Sequence, residues 1–497
     1  MIRASRRRWQ RTREQWEDTQ ERGAVLVITV FLTFVLLAMA AFSVDFGWIF
    51  VQSLEAKKAT EAAALAGAVH LPLPTGVLLA GSDAEAAALE IVASHGYAGT
   101  ATVNLGANEA QMRVEIATTT NTFFMRAFGI ATAAINRAST AESIPPLKLG
   151  SDEPSLGGPG EDFWVALNGD RRRKQDGDPF ATECYIGNGC NPAGDFNQEF
   201  RPDPNYYYGV EVPDSEVGGQ LRVQVYDGPH FKDRWYTPGA PGDRVTADNT
   251  VLTFELLEPD QTPGDWTDNS DPVCSPKTFA VGDPGVETWV DVCSSPHAAI
   301  KGLYVLKVNI GGGGDPNERD AITDFALRST INGSAGNNTA LFGLGALSLD
   351  MVDVGTVPNF QFAKLLPIYS GTELLVSLFD AGDAAGSADL SFLGSLAGQD
   401  CSYQVRGGSD GNTPIQSWTA ISPCALDTSG QLFNNLWVDF RFKIDPTYVC
   451  DPAIASGVPG SCWVLVDYDF GGASSVNERT TWEAAILGQP VHLLPGG

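Results

Sequence analysis

One stretch without any charged residue constrains this chain more than any other feature. No charge occurs between Arg22 and Asp45, and Ala24–Val44 supplies 21 consecutive apolar or neutral positions. About 20 such residues span the hydrocarbon core of a bilayer as a helix. The sequence therefore predicts a transmembrane helix over 24–44, with Trp48 at the level of an outer aromatic belt.

The charges around this stretch indicate its orientation. Residues 1–22 carry seven Arg, whereas the whole chain has a net charge of −28. By the positive-inside rule, the basic head 1–23 stays in the cytoplasm and the chain beyond about residue 45 lies outside the cell membrane. A cleaved signal peptide is the alternative, because Ala38-Met39-Ala40 fits a cleavage site, but the apolar stretch exceeds the usual core of about 7–15 residues.

All the cysteines follow the apolar stretch, as expected of an exported region. An even number in such a region predicts disulfides, most simply as local pairs in sequence order, although about 105 connectivities exist for eight residues. Metal binding is disfavoured because the chain has no CxxC pair. The disulfide candidates are Cys184, Cys190, Cys274, Cys293, Cys401, Cys424, Cys450 and Cys462.

The apolar stretch continues into an alanine-rich segment without a helix-breaking residue, which predicts one helix over 24–69. Small side chains recur at helical spacing on one face, opposite Lys57, Lys58, Thr60 and Glu61. Small residues permit close approach of another element, so this stripe is a candidate partner or self-packing face. Its members are Ala59, Ala62, Ala63 and Ala66.

The outer part of this helix, together with the local patterns that follow it, predicts a small exported α+β domain over 45–148. We expect a helix over 82–96, strands over 111–119 and 131–143, and a short helix over 122–130 between those strands. A linker rich in Gly, Pro and acidic residues follows over 149–162.

The remaining chain shows short apolar runs between Gly, Asp, Asn and Pro turns, as in β-sandwiches. Three segment pairs recur in the same order: 220–228 with 373–383, 287–292 with 435–440, and 303–319 with 462–479. These matches predict two tandem β-sandwich-like domains, 163–335 and 336–497. The expected fold class is a membrane-anchored α+β domain followed by all-β domains.

The region 20–145 resembles the TadE/TadG-like proteins of Flp (Tad) pilus assembly. The resemblance implies a non-enzymatic membrane component whose partners are the membrane and other pilus-assembly proteins. It extends to the strand–helix–strand pattern over 114–143. The motif residues are Gly23, Val44, Asp45, Gly47, Leu54, Glu61, Ala63, Leu65, Ala66 and Gly67.

Two departures limit what this resemblance implies. Pilin-like members carry a Glu at the fifth position after the processing Gly, but the fifth residue after Gly23 is Ile28. Processing and Glu-guided polymerisation are therefore not expected. The chain also lacks the DxSxS metal motif of the members that contain a von Willebrand A domain.

Asp45 has two interpretations at the apolar boundary. Its carboxylate could pair with a cation of a partner protein, or it could reach interfacial water. We favour the interaction with water.

Motifs for catalysis or cofactors are absent from the sequence. The five His are scattered, and neither a P-loop nor a GxSxG elbow is present. Strong acidity disfavours nucleic-acid binding. We expect no catalytic, cofactor or metal site, treating Asp380, Asp383, Asp389, Asp410 and Asn412 as turn residues rather than Ca²⁺ ligands and 171–174 as a solvated basic loop.

A second function class is a membrane-tethered adhesin that binds glycan or another surface polymer. A row of exposed aromatic residues from 206–208 or 235–236 would favour it.

Overall fold

A computed structural model of the chain describes two compact units. The first comprises 1–68, 79–142 and 493–497, and the second comprises 69–78 and 143–492. Only the backbone is described for residues 2–24, 175, 227, 244–245, 250, 311–312 and 321. The described residues are 2–73, 77–144, 146–151, 153–158, 161–168, 174–180, 197, 199, 205–227, 244–245, 250–280, 288–312, 321–351, 359–382, 389–408, 410–429, 432–471, 478–487 and 491–494.

Two α-helices and 26 strands form the regular structure of the described residues. The helices are α1 Ile2–Ala68 and α2 Asp83–Ser94, with 3₁₀ turns at Met125–Phe128, Lys174–Asp176, Asp214–Glu216 and Pro367–Tyr369. The strands are β1 Ala101–Leu105, β2 Gln111–Asn121, β3 Thr132–Ser143, β4 Ser155–Leu156, β5 Trp164–Asn168, β6 Asn205–Val212, β7 Gln220–Asp227, β8 Arg244–Val245, β9 Thr250–Leu257, β10 Lys277–Ala280, β11 Trp289–Asp291, β12 His297–Ala298, β13 Gly302–Gly312, β14 Ala321–Ile331, β15 Ala340–Gly343, β16 Ala346–Asp350, β17 Asn359–Lys364, β18 Glu373–Ala381, β19 Asp389–Gly394, β20 Cys401–Gly407, β21 Thr413–Ile421, β22 Ala425–Asp427, β23 Phe433–Lys443, β24 Trp463–Asp469, β25 Arg479–Leu487 and β26 Val491–Leu493.

Helix α1 runs without interruption from Ile2 to Ala68, so the prediction of one continuous helix over 24–69 is confirmed. Its apolar part is exposed, with Phe34 at 71% and Leu36 at 66% of full exposure. Among the described residues, α1 alone is long and apolar enough to cross a membrane. A single apolar N-terminal helix of this kind is what a single-pass membrane anchor requires.

Helix α2 begins at a reciprocal cap. The hydroxyl of Ser82 accepts a hydrogen bond from the Glu85 amide at 3.2 Å, and the Glu85 carboxylate accepts one from the Gly81 amide at 2.7 Å. The two side chains thus accept hydrogen bonds from N–H groups that have no partner inside the helix. The predicted helix over 82–96 is thus confirmed to within two residues at its C-terminal end.

In the first unit, α1 contacts β2 and α2 contacts β1 of an antiparallel sheet of order β1-β2-β3, which Leu493 of β26 joins beside β3. Strands β2 and β3 form a long antiparallel hairpin, from Gln111↔Glu142 to Asn121↔Thr132. Both strands predicted from the alternating pattern are confirmed, and the predicted short helix between them is the 3₁₀ turn Met125–Phe128.

The second unit contains three sheets with strand orders that repeat. One half of the 13-stranded sheet runs β11-β7-β14-β5 and the other half runs β23-β18-β25-β16, with β5 and β16 adjacent. The two smaller sheets contain the paths β10-β9-β13-β6 and β22-β19-β24-β17. The segment pairs found in the sequence fall on β7 and β18, β11 and β23, and β13 and β24.

Aromatic contacts repeat along with the strands. Tyr226 on β7 packs on Trp289 with ring centroids 5.5 Å apart, and Phe379 on β18 packs on Trp437 at 5.3 Å. The equivalent strands therefore use equivalent side-chain pairs. Apolar residues of the large and small sheets share one buried cluster.

A buried ion cluster lies where the two halves of the large sheet adjoin. Arg479 on β25 donates to Asp350 on β16 at 2.7 Å and approaches Asp324 on β14 at 3.4 Å. Both carboxylates are fully buried. The guanidinium therefore links strands from both halves through charge-assisted hydrogen bonds.

Candidate functional site

The region around Asp45 is the candidate site, because a boundary carboxylate there organises a distant turn. Asp45 accepts hydrogen bonds from the amides of Phe123 at 2.7 Å, Phe124 at 2.9 Å and Met125 at 2.6 Å. These amides begin the 3₁₀ turn Met125–Phe128. The carboxylate thus satisfies three donors that the turn leaves open.

Asp45 is fully buried by its own domain. Our interpretation that its side chain reaches interfacial water is therefore wrong, because the carboxylate is occupied by the amides of the turn. Burial raises the pKa of Asp45, but the hydrogen bonds from Met125, Phe123 and Phe124 outweigh this and hold the pKa below its ordinary value. Asp45 is ionised at neutral pH.

Aromatic residues fasten the same turn to α1 on either side of Asp45. The Phe42 and Phe128 rings lie 5.3 Å apart, and the Trp48 and Phe123 rings lie 5.8 Å apart. The indole of Trp48 also donates to the Thr120 hydroxyl at 3.0 Å. The end of the predicted membrane span and the turn therefore form one packed cluster.

The alanine stripe packs within the first unit. Ala59 and Ala63 have no exposed surface, while Ala62 and Ala66 are partly buried. Thr60, which we placed on the opposite polar face, is also fully buried, and its hydroxyl lies 2.8 Å from that of Ser139. Of the two alternatives for this stripe, packing within the chain holds for Ala59 and Ala63, because α2 and the sheet cover them and leave no surface for a partner protein.

Gly67 shows why a motif glycine is needed at the end of the stripe. A Cβ at this position would lie 2.9 Å from the Ala84 carbonyl oxygen and 2.9 Å from Cε of Met112. Gly47 differs, because a Cβ there would have no neighbour within 4 Å. One motif glycine therefore permits close packing of α2, and the other has open surroundings.

The other motif residues lie along the same helix with differing exposure. Val44 and Leu54 are 54% and 41% exposed, whereas Leu65 is partly buried. Glu61 lies 3.6 Å from Lys57 in a partly exposed ion pair. Gly23 lies within the helical backbone of α1. The motif thus combines packing positions with positions that no described residue covers.

Three disulfides join cysteines in sequence order in the second unit. They are Cys274–Cys293, Cys401–Cys424 and Cys450–Cys462. Cys184 and Cys190 lie outside the described residues. Local pairing of this kind shortens the loops of the unfolded chain and stabilises the fold.

The acidic and basic groups singled out in the sequence lie apart or serve the fold. Asp380 is buried and accepts a hydrogen bond from the Asn435 amide, while Asp410 bonds the Asn412 amide within its turn at 3.1 Å. Asp389 begins β19, and Asp383 lies outside the described residues. No group of three or more His, Cys, Asp or Glu suited to a metal ion occurs in the described part of the chain.

Lys174 corrects the expectation of a solvated basic loop. It is 1% exposed, contacts Glu199 at 3.0 Å and donates to the Gly408 carbonyl oxygen at 2.8 Å. Residues 171–173 lie outside the described part. Lys174 is therefore part of the packed fold.

The aromatic residues proposed for glycan binding are mostly internal. Tyr206 and Tyr208 are buried, and residues 235–236 lie outside the described residues. Tyr207 is partly buried and lines a cavity of about 620 Å³ together with Trp266, Asn205 and Glu483. The sequence did not single out Trp266, because nothing near it in the chain signals a cavity.

Comparison with known proteins identifies the N-terminal region. Residues 23–70 match the family model described as "Putative Flp pilus-assembly TadE/G-like". The resemblance inferred from the sequence is confirmed for this region, which includes the apolar helix, Asp45 and the alanine stripe. Its extension to residue 145 stays a prediction.

Other comparisons add no assignment. No curated protein matches the chain. The tandem CBM22-1–CBM22-2 domain of Paenibacillus barcinonensis Xyn10C aligns with 79% of this chain and 92% of its own at 9% identity, with a TM-score of 0.13. The T=1 Penaeus vannamei nodavirus aligns with 67% of this chain and 99% of its own at 10% identity, with a TM-score of 0.12. At these scores neither structure shares an overall fold with the chain.

Proposed function

We propose that this chain is a non-enzymatic, single-pass membrane component of Flp pilus assembly. The observation that carries the proposal is the TadE/G-like segment 23–70, which coincides with the exposed apolar part of α1 and its packed continuation. Basic residues precede the span and the bulk of the chain follows it, so we place the N-terminus in the cytoplasm and the remainder outside the cell membrane.

The proposed organisation follows from the same features. The head 1–23 and span 24–44 anchor an exported domain, 45–148, and a linker over 149–162 leads to two β-sandwich-like domains, 163–335 and 336–497. The repeated strand orders support this division into two related halves. Other pilus-assembly proteins are the expected partners, and disulfides fit an oxidising, extracytoplasmic location.

Deletion and complementation test the function. Removal of the gene from its host should abolish surface pili in electron micrographs, and the unmodified chain should restore them. A chain with Leu32→Arg and Leu36→Arg should fail to restore pili, because charges at the centre of the span oppose insertion. Leu32→Ala with Leu36→Ala is the matched control and should restore them. Normal piliation in the deletion strain would refute the proposal.

A second candidate is a tethered adhesin, and one cavity favours it. Tyr207 and Trp266 line this cavity beside Asn205 and Glu483. Aromatic faces with polar groups at their edges provide both apolar contact and hydrogen bonds for a sugar ring. Glycan binding by the full chain in detergent that Trp266→Ala abolishes, with piliation unchanged, would favour this function over pilus assembly.

A further inference from the structure

We propose that the segment 122–130, named here the aromatic turn, lies in the lipid interface beside the outer end of the membrane span. The inference rests on the membrane anchoring proposed above. It assigns the lipid bilayer itself as the partner of this surface.

The aromatic turn exposes large apolar side chains. Phe and Ile are usually buried in folded proteins. In this turn, however, four of them are exposed: Phe123 by 54%, Phe124 by 47%, Phe128 by 65% and Ile130 by 45%. Such a cluster of exposed apolar groups marks a binding surface. The patch continues onto α1, where Phe46 and Phe50 are 60% and 63% exposed.

Noncovalent contacts with α1 set the turn at the level of the membrane boundary. Phe128 packs on Phe42, which lies within the charge-free stretch, and three amides of the turn bond Asp45, the first charge after that stretch. When 24–44 spans the bilayer, the aromatic turn must therefore lie beside the outer lipid layer. A soluble partner would have to displace lipid to cover the same surface.

Most backbone amides of the turn donate hydrogen bonds within the protein, as a surface in contact with lipid requires. Asp45 accepts from residues 123–125, and the amide of Thr122 donates to the Ala131 carbonyl oxygen at 3.0 Å. The amides of Ala127, Gly129 and Ile130 bond carbonyl oxygens inside the turn at 3.1–3.2 Å. Apolar surroundings penalise open amides, so this pairing removes the main cost of entering the interface.

Arg126 suits the same location. It is the only charged residue in the aromatic turn, and it is exposed. A long side chain with a terminal guanidinium can extend from an apolar surface to lipid phosphate groups.

Spin-label accessibility in nanodiscs tests the inference with the full-length chain. Nitroxide labels would be attached in Phe128→Cys, Phe34→Cys and Leu105→Cys, each at an exposed position, in discs of phosphatidylcholine and phosphatidylglycerol. The unmodified chain, labelled in parallel, gives the background from native cysteines, and its melting curve checks that each variant folds.

Leu105 is the matched apolar control in the same unit. Leu105 pairs with Met112, and Met112 lies against Gly67. Because Gly67 follows Asp45 by 22 helical residues, or about 33 Å along α1, Leu105 lies far from the membrane boundary. Phe34 lies inside the predicted span and is 71% exposed.

The expected result is that oxygen, which concentrates in lipid, relaxes the labels at 34 and 128 more than a water-soluble nickel chelate does, with the order reversed at 105. A label at 128 that behaves like that at 105 while 34 stays lipid-exposed would overturn this inference and leave the anchor intact. A water-exposed label at 34 would refute the anchor as well. A label at 128 shielded from both agents and broadened by a label on a second copy would assign the turn to self-association instead.

Discussion

At the scale of single residues, Asp45 shows how an acidic group at the end of an apolar stretch can serve the chain's own fold. The sequence places it at the end of an apolar stretch, and the structure places its carboxylate on three amides more than 75 positions further along the chain. Each of these contacts is charge-assisted and therefore stronger than a neutral hydrogen bond. Asp45 thus determines where the aromatic turn meets α1.

Asp45→Asn should loosen this turn while preserving the size of the side chain. An amide has one acceptor oxygen and no charge, so we expect hydrogen exchange at residues 123–125 to accelerate by about tenfold. Mass spectrometry of the full chain in detergent measures this. Glu115→Gln, at an exposed ion pair with Arg113, is the control and should leave these amides unchanged. Equal exchange in both variants would contradict the capping role.

The same carboxylate should contribute to the pH dependence of stability. Because the pKa of Asp45 is lower in the folded chain than its ordinary value of 3.8, its contribution is present above that pH and is lost as pH falls through the folded pKa. Thermal unfolding of the unmodified chain and Asp45→Asn from pH 7 to pH 2 measures this. The difference in melting temperature should shrink towards zero below pH 3.8. A constant difference would exclude ionised Asp45 as its cause.

At the scale of elements, α1 changes its environment without changing its conformation. Its apolar part is exposed up to residue 39. Further along, five of its alanines are buried where α1 packs on α2 and the sheet: Ala56, Ala59, Ala63, Ala64 and Ala68. The close approach of α2 to α1 depends on these small side chains, and at Gly67 it requires that no side chain be present.

Gly67→Ala should destabilise the first unit although alanine favours helix. The new Cβ would meet a backbone oxygen and Met112, and overpacking of this kind costs about 1–3 kcal/mol, more than the ~1 kcal/mol gained in helix propensity. Gly47→Ala on the same helix has open space and should stabilise by up to about 1 kcal/mol. The free energy of unfolding of the two variants can be compared by urea titration, with hydrogen exchange of the α2 amides as the signal. Destabilisation by both to the same degree would contradict the packing argument.

Local sequence patterns predicted the elements well and their contacts poorly. Helix α1, α2 and the β2–β3 hairpin follow from periodicity and capping, which involve near neighbours in the chain. The burial of Asp45 and Thr60 depends on residues 123–125 and 139, and no local pattern encodes such distant contacts. The pairing of Lys174 with Glu199 was missed for the same reason.

At the scale of the whole molecule, the repeated halves of the second unit share one sheet. Strand β5 pairs with β16 at Val165↔Leu349, and the Arg479 cluster lies on the neighbouring strands. The repeat could be recognised in the sequence because it preserves aromatic and acidic positions. The adjacency of β5 and β16 could not be predicted, because neither strand lies in any of the matching segments.

Arg479→Met should weaken this junction. It would leave Asp324 and Asp350 buried without their cation, and breaking such a pair costs about 3–5 kcal/mol. Lys307→Met, at a partly exposed pair with Glu255, should cost at most about 1 kcal/mol. Differential scanning calorimetry of the oxidised full chain measures both. A double variant that also carries Asp350→Leu should recover part of the loss, and no recovery would argue against a charge effect.

The position of β26 has a consequence for biosynthesis. Leu493 belongs to the first unit. The amide of the next residue, Leu494, donates a hydrogen bond at 2.9 Å to the carbonyl oxygen of Thr140 in β3. About 350 residues separate these partners, so a ribosome working at roughly 5–20 residues per second completes that sheet about 20–70 seconds after making β3. Until then the free edge of β3 can pair with any extended segment nearby, as unpaired sheet edges do, so delayed synthesis of the C-terminal residues should favour misassembly of the first unit.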